Sequence, residues 1–217
     1  MPEHSNIDPL QVKAESEKAI LAANGRVCDW LPCPDQVEPR MREEIVGRAL
    51  VMNALLNIYF RAPVPVIKGW IEANGLAGHL SESERALLQK KNGELSKQEL
   101  VDLYWYIEGL WALMWVGSLI PDLPIDRPVE DHMATLTPNL QRKEDGTKFS
   151  RNMQIRPYED LYRMLDLYYR AHWYTEDGRI NGYLTGQIDG DIIMERRKAL
   201  EWVMDRTVEW DDVPLDT

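Results

Sequence analysis

The chain is short of basic residues, cysteine and phenylalanine. Its 217 residues include 25 Lys and Arg against 36 Asp and Glu, a formal charge of −11, with only 2 Cys and 2 Phe. This acidic balance argues against nucleic acids and anionic membranes, because phosphate groups select basic proteins. The longest apolar stretch, Ile107–Ile120, contains Glu108 and is too short to cross a bilayer. We therefore expect neither a nucleic acid nor a membrane as a partner.

Motifs of cofactor and metal chemistry are also missing. The sequence contains no phosphate-binding loop, dinucleotide fingerprint, His-Glu-x-x-His or Gly-x-Ser-x-Gly. Cys28 and Cys33 lack further ligands at a metal-binding spacing. We expect two reduced structural cysteines, with a disulfide, a metal site or a redox pair as alternatives. We expect no cofactor and, because the first ten residues do not look like a secretory signal, a cytoplasmic location.

The sequence does contain a series of helix signals. Apolar residues recur at helical spacing between Pro and Asn-Gly breaks, and Ser81–Glu84 and Ser96–Glu99 fit capping boxes. These patterns predict helices over residues 9–23, 39–60, 66–73, 82–90, 97–118, 129–135, 157–174 and 189–206. We predict a mainly α fold in one compact domain over residues 1–217. Its other parts are a less distinctive N-terminal helix and loop (1–38), a mobile loop (139–154), a candidate short hairpin (179–188) and an acidic tail (209–217).

Three of the predicted helices carry ionisable residues on or beside their apolar stripes. Glu108 borders the stripe of helix 97–118, His172 lies within that of helix 157–174, and Arg196 lies in the middle of the last. An unpaired buried charge is very costly, so such groups should find partners or line a wet cavity. We therefore predict a shared polar cluster, which consists of Glu108, Asp166, Arg170, His172, Glu195 and Arg196. The expected contacts are Arg196 or Arg170 with Glu108, and Asp166 with Arg170.

Three interpretations of this cluster stay open at the level of sequence. The first is a structural network of ion pairs that fixes how the helices pack. The second is a binding or catalytic pocket, since a histidine and carboxylates in a cleft suit acid–base chemistry. The third is plain exposure on the surface. Separately, Trp105 lies opposite Ile107 and Trp111 on its helix, so with Gly109 and Ala112 it forms a candidate partner surface.

Several runs of residues are similar to one protein family. They are Tyr104–Trp115, Ile155–Pro157, Asp166–Trp173, Glu195–Trp202, Trp210–Val213 and Asp216–Thr217. Together they resemble an uncharacterised bacterial family known as domain of unknown function 4272, over roughly residues 40–217. The resemblance implies a predominantly helical bacterial protein and brings no activity, substrate or cofactor with it. All six residues of the predicted cluster lie within the matching runs.

Two classes of function fit these observations. The first is a non-enzymatic interaction protein whose acidic surface attracts a basic partner, of which an immunity-like role against a basic toxin is one form. Self-association through Trp105 is a related form. The second is a small-molecule-binding protein or hydrolase-type enzyme, in which the arginines orient an anionic group and a carboxylate or His172 moves the proton. We expect the first, because no catalytic motif is present; a cavity beside the cluster would favour the second.

Overall fold

Helices make up most of the computed structural model, which describes residues 7–216. They are α1 (Pro9–Ala22), α2 (Arg42–Tyr59), α3 (Val64–Ala73), α4 (Glu82–Leu87), α5 (Lys97–Val116), α6 (Met133–Leu136), α7 (Thr147–Asn152), α8 (Tyr158–Asn181) and α9 (Gly190–Met204). Residues 7–216 contain no strand. The prediction of a mainly α fold is confirmed. Residues 1–6 of the predicted N-terminal segment and residue 217 of the predicted tail lie outside the described range.

The helix starts follow directly from local side-chain chemistry. At α4 and α5 the carboxylates of Glu84 and Glu99 accept the main-chain N–H of Ser81 and Ser96, each at 2.8 Å. The serine hydroxyls accept in return the N–H of those two glutamates. These reciprocal bonds satisfy donors that a helix start leaves unpaired. The two capping boxes predicted from the sequence are therefore present.

The longer helices pack side by side in the spatial order α3, α2, α5, α9, α8, α1. The central helix α5 is buried along its C-terminal half, from Glu108 to Val116, because α2 and α9 flank it. The chain after α5 folds back over the same half, so that the N–H of Val129 reaches the carboxylate of Glu108. No helix within residues 7–216 is both long and apolar enough to cross a membrane.

The candidate hairpin at residues 179–188 is not formed. Helix α8 runs on through Asp177 and Gly178 to Asn181 and ends at Gly182, whose φ of +73° is typical of a left-handed helix cap. The chain after α8 packs closely against Gly178, because a Cβ at this position would lie 2.7 Å from Cγ2 of Thr185. The Asp-Gly pair, a common turn signal, is here part of a helix that needs a glycine for packing.

Residues 139–154, for which the sequence predicts a mobile loop, are partly helical. They contain a 3₁₀ turn at Leu140–Arg142 and helix α7, and Phe149 and Met153 are buried in the core. Arg42 donates to the carbonyl oxygens of Ser150 and Met153 and so ties this segment to α2. The acidic tail likewise packs inward, because Trp210 and Val213 are buried. Both segments are mostly polar in sequence, but each contains a few large apolar side chains that pack into the core.

Candidate functional site

Glu108 and Arg196 form a buried ion pair between α5 and α9. Nε and Nη2 of Arg196 lie 2.8 and 2.6 Å from Oε2 of Glu108. The other carboxylate oxygen accepts the N–H of Val129 at 3.2 Å. The guanidinium also donates to three further groups, which are the carbonyls of Pro124 and Arg127 and the hydroxyl of Tyr168. Both charges are thus paired and hydrogen-bonded, as burial requires.

The surroundings of Arg196 keep its side chain charged. Burial alone would lower the pKa of the guanidinium, but Tyr168 and Glu108 outweigh this effect and raise it. Burial also raises the pKa of Tyr168 to about 12, against the opposing influence of Arg196. Tyr168 therefore acts here as a neutral hydrogen-bonding group beside a charged guanidinium.

Asp166 and Arg170 form a second buried pair, one turn apart on α8. Their contact is bidentate, with Nε to Oδ2 at 2.9 Å and Nη2 to Oδ1 at 2.7 Å. Arg170 also donates to the carbonyls of Leu31 and Pro32, at 3.4 and 3.1 Å. The pair thus fixes the loop after α1 onto α8, since its remaining donors are used by that loop.

His172 pairs with Arg197 and not with any member of the predicted cluster. Nη1 of Arg197 donates to Nδ1 of His172 at 2.7 Å, and its Nε donates to Glu201 at 3.1 Å. The same guanidinium holds the tail through the carbonyls of Leu215 and Asp216. Burial and the charge of Arg197 lower the pKa of His172 to about 4. His172 is therefore a neutral acceptor at neutral pH.

Glu195 is half-buried on α9 and faces other carboxylates. Burial raises its pKa to about 7; the neighbouring charge of Lys198 opposes this shift, while Asp102, Asp191 and Glu108 add to it. Among the described residues, no hydrogen bond reaches its carboxyl group. The pKa of Glu195 thus lies near neutral pH, but no hydrogen bond joins its carboxyl group to a nucleophile or a base among the described residues.

Four of the six predicted residues form two separate pairs, and no single network of hydrogen bonds joins all six. The expected contacts of Arg196 with Glu108 and of Asp166 with Arg170 are present, but neither His172 nor Glu195 forms a side-chain hydrogen bond with either pair among the described residues. The reason is geometric: Arg196 and Arg197 follow each other on α9, so their side chains diverge by about 100°. Arg196 pairs with Glu108 of α5 and also donates to Tyr168 of α8, whereas Arg197 binds His172 of α8.

A third buried pair, which the sequence does not predict, joins Arg48 of α2 to Glu84 of α4. Nη1 of Arg48 lies 2.7 Å from Oε2 of Glu84, and a second contact joins Nη2 to Oε1. The hydroxyl of Tyr106 donates to the same carboxylate at 2.7 Å, and the guanidinium lies 4.1 Å from the centroid of the Trp210 ring. The one sequence signal for this pair is the position of Arg48 within an apolar run of α2. The capping box alone accounts for Glu84 in the sequence, so its second role as a counter-ion has no separate signal.

The predicted surface around Trp105 is also different from expectation. Gly109 and Ala112 are buried, and a Cβ on Gly109 would lie 2.7 Å from Cε of Met52 on α2. Trp105 itself is only partly exposed. The aromatic side chains that do reach solvent nearby are Tyr59, Phe60 and Tyr104.

A groove of about 430 Å³ lies near the outer end of the Glu108 pair. Val129, whose N–H binds Glu108, contributes to its wall, together with Phe60, Ile107 and Met133. Glu130 and Asp131 add carboxylates. Among its described lining residues, no nucleophile is paired with a base.

The described residues hold no group of His, Cys, Asp and Glu that could bind a metal ion. Cys28 and Cys33 are free thiols. No curated protein and no solved structure matches the chain. The model of the family described as Domain of unknown function (DUF4272) matches residues 13–213, nearly the whole length, and the chain therefore belongs to the DUF4272 family.

Proposed function

We propose that this protein is a non-enzymatic interaction protein of the cytoplasm that binds a basic protein partner through its acidic surface. The observation that carries the proposal is the pairing of the interior charges. Glu108, Asp166, Arg170 and Arg196 each bind another side chain and, except for Asp166, the main chain. All four side chains are also almost fully buried, so they are not accessible to a substrate. Acid–base or nucleophilic catalysis would require an accessible group with a perturbed pKa and a partner that activates it.

The charge that remains available lies at the surface. Acidic residues outnumber basic ones by 36 to 25. A surplus of this kind attracts basic partners over long distances and accelerates their encounter. Because salt screens such fields, the association should weaken as ionic strength rises.

The test begins with chemical crosslinking in cells, followed by binding measurements on the purified candidate partner. The proposal expects a basic partner that binds again in purified form and loses affinity with added salt. A purified partner that is acidic, or binding that salt does not change, would contradict it. So would the failure of every crosslinked candidate to bind again.

A second candidate function, the binding of a small molecule, is favoured by one observation. The groove beside Val129 has a volume within the ~300–1,000 Å³ typical of ligand sites. A thermal-shift screen with small amines, anions and metal ions would test this function. A ligand at about a hundred times its Kd should add ~2.7 kcal/mol of stability, and no stabilisation by any compound would count against it.

A further inference from the structure

The apolar stripe of α5 is covered along only part of its length. Trp111 is buried, whereas Ile107 is partly exposed and Tyr104 is 39% exposed. Tyr59 and Phe60 at the end of α2 extend this surface, with ring centroids 5.0 Å apart for Tyr59 and Tyr104 and 5.2 Å apart for Tyr59 and Phe60. Contiguous exposed aromatic rings are a feature of surfaces that bind other proteins.

The groove begins where these rings end. Phe60, which is 61% exposed, belongs both to the aromatic surface and to the lining of the groove. Ile107 and Met133 continue the apolar wall. The uncovered part of α5 and the groove therefore form one continuous surface.

The polar lining of the groove is rich in hydrogen-bond acceptors and negative charge. Glu130 and Asp131 supply carboxylates, and no lysine, arginine or histidine is present among the described lining residues. Asn53 donates to the carbonyl of Pro138 at 3.2 Å, and Asn57 donates to that of Asn53 at 2.7 Å. No hydrogen bond from a described residue reaches either amide oxygen. A groove with this lining favours a ligand group that is cationic and rich in donors.

We propose that this groove is the docking site for a basic segment of the partner protein, with an arginine or lysine side chain lying against Phe60 and its charged end near Glu130 and Asp131. The inference rests on the proposed function and specifies where the basic partner binds. The alkyl part of such a side chain packs on apolar surface while its head stays polar. Aromatic faces attract cations, and carboxylates bind guanidinium in a fixed geometry.

A second copy of this chain is a poorer occupant of the groove. In a symmetric dimer the same patch meets itself, which would bring Glu130 and Asp131 of both copies together. Like charges placed opposite each other across an interface are unfavourable. The charge of the groove thus favours a partner of opposite sign.

The experiment uses a fluorescent amphipathic peptide of leucine, alanine and arginine, and the same peptide with glutamate in place of arginine. Fluorescence polarisation gives the affinity for the wild type, for Phe60→Ser, and for the double variant Glu130→Gln/Asp131→Asn. Leu184→Ser removes an exposed apolar residue elsewhere, and Asp29→Asn/Glu82→Gln neutralises two distant exposed acids. Thermal melts establish that each variant is folded.

We expect the arginine peptide alone to bind, and each groove variant to weaken it by about three- to tenfold. The control variants should stay within about twofold of the wild type.

Equal weakening by the control variants would overturn the groove assignment and leave the proposed function standing. Butylguanidinium that competes as tightly as the peptide binds would assign the groove to a small ligand, and a dimer that Phe60→Ser dissociates would assign it to self-association. Binding that does not distinguish the two peptides would overturn both proposals.

Discussion

Arg196 and Glu108 are 88 positions apart in the sequence, yet their side chains form a buried ion pair that joins α9 to α5. The neighbouring contacts repeat the arrangement. Arg197 joins α9 to α8 through His172, and Arg170 joins α8 to the loop after α1. Arg48 joins α2 to α4. The interior charges are therefore distributed along the packing order of the helices, each neutralised locally, which is the arrangement expected of a structural network.

Two further arginines, Arg40 and Arg156, act with these in holding helix ends and connecting segments in place. Their main-chain acceptors are the carbonyls of Trp202 and Val208 for Arg40, His79 for Arg48, Trp115, Ile120 and Pro121 for Arg156, Leu31 and Pro32 for Arg170, and Pro124 and Arg127 for Arg196. A guanidinium has five donors in a rigid fork, so one side chain can bind a carboxylate and several carbonyls at once. The long irregular connections of this chain are ordered by such contacts.

Arg196→Met should lower the free energy of unfolding by about 3–5 kcal/mol, because it leaves the buried carboxylate of Glu108 without its counter-charge. Urea denaturation measures this change. Arg179→Met is the matched control: its ion pair with Glu176 lies at the surface, where solvent screens the charges, so its loss should change the free energy of unfolding far less. The double variant Glu108→Met/Arg196→Met should recover part of the lost stability. A small effect of Arg196→Met alone would mean that the pair is solvated.

Gly47→Ala should destabilise the protein by about 1–3 kcal/mol, because the new Cβ would overlap the ring of His79. Gly69→Ala is the control, since Gly69 is also inside a helix but has open space around it. That variant should gain up to about 1 kcal/mol from helix propensity. Thermal melts of both variants give the comparison, and equal shifts would show that the contact with His79 is of no consequence.

His172 should make the fold sensitive to acid. Its pKa is lowered from 6.5 in the unfolded chain to about 4 in the folded protein, by burial and by Arg197. Between these two pH values the folded state thus binds fewer protons than the unfolded chain. The contribution of His172 to the free energy of unfolding is complete above pH 6.5 and is lost as pH falls toward 4. His172→Gln keeps a neutral acceptor for Arg197 and should lose less stability between pH 7 and pH 4. An NMR titration midpoint of His172 near 6.5 in the folded protein would contradict this prediction.

The sequence predicts the helices, the charged positions and two of the ion pairs, Arg196 with Glu108 and Asp166 with Arg170. It does not predict the partner of His172 or the pair of Arg48 with Glu84. The capping boxes and apolar spacing specify α4 and α5 locally, so these could be predicted. Which arginine meets which carboxylate depends on how helices far apart in sequence are rotated against each other. Arg196 and Arg197 are neighbours in sequence, yet only Arg196 reaches the carboxylate of Glu108 on α5. Glu84 serves both as a cap and as a buried counter-ion. Such dual roles arise only from tertiary packing, and local patterns do not encode them.

Glu195→Gln should stabilise the protein above neutral pH. Burial, with Asp102, Asp191 and Glu108 nearby, raises the pKa of Glu195 from its ordinary value of 4.5 to about 7. The folded state therefore retains this proton to a higher pH than the unfolded chain does. The wild type therefore loses stability relative to the variant as pH rises from 4.5 to 7, and the deficit stays constant above that range.

Urea denaturation of wild type and Glu195→Gln at pH 4, 6 and 8 measures this difference. The two proteins should be similar at pH 4, because Glu195 is protonated in both the folded and the unfolded state, and the variant should be the more stable at pH 8. Asp191→Asn removes one of the carboxylates that Glu195 faces and should lower the pKa of Glu195, so the gain from adding Glu195→Gln to it should be smaller. A gain of the same size at all three pH values would mean that Gln packs better at this position and that no proton is involved.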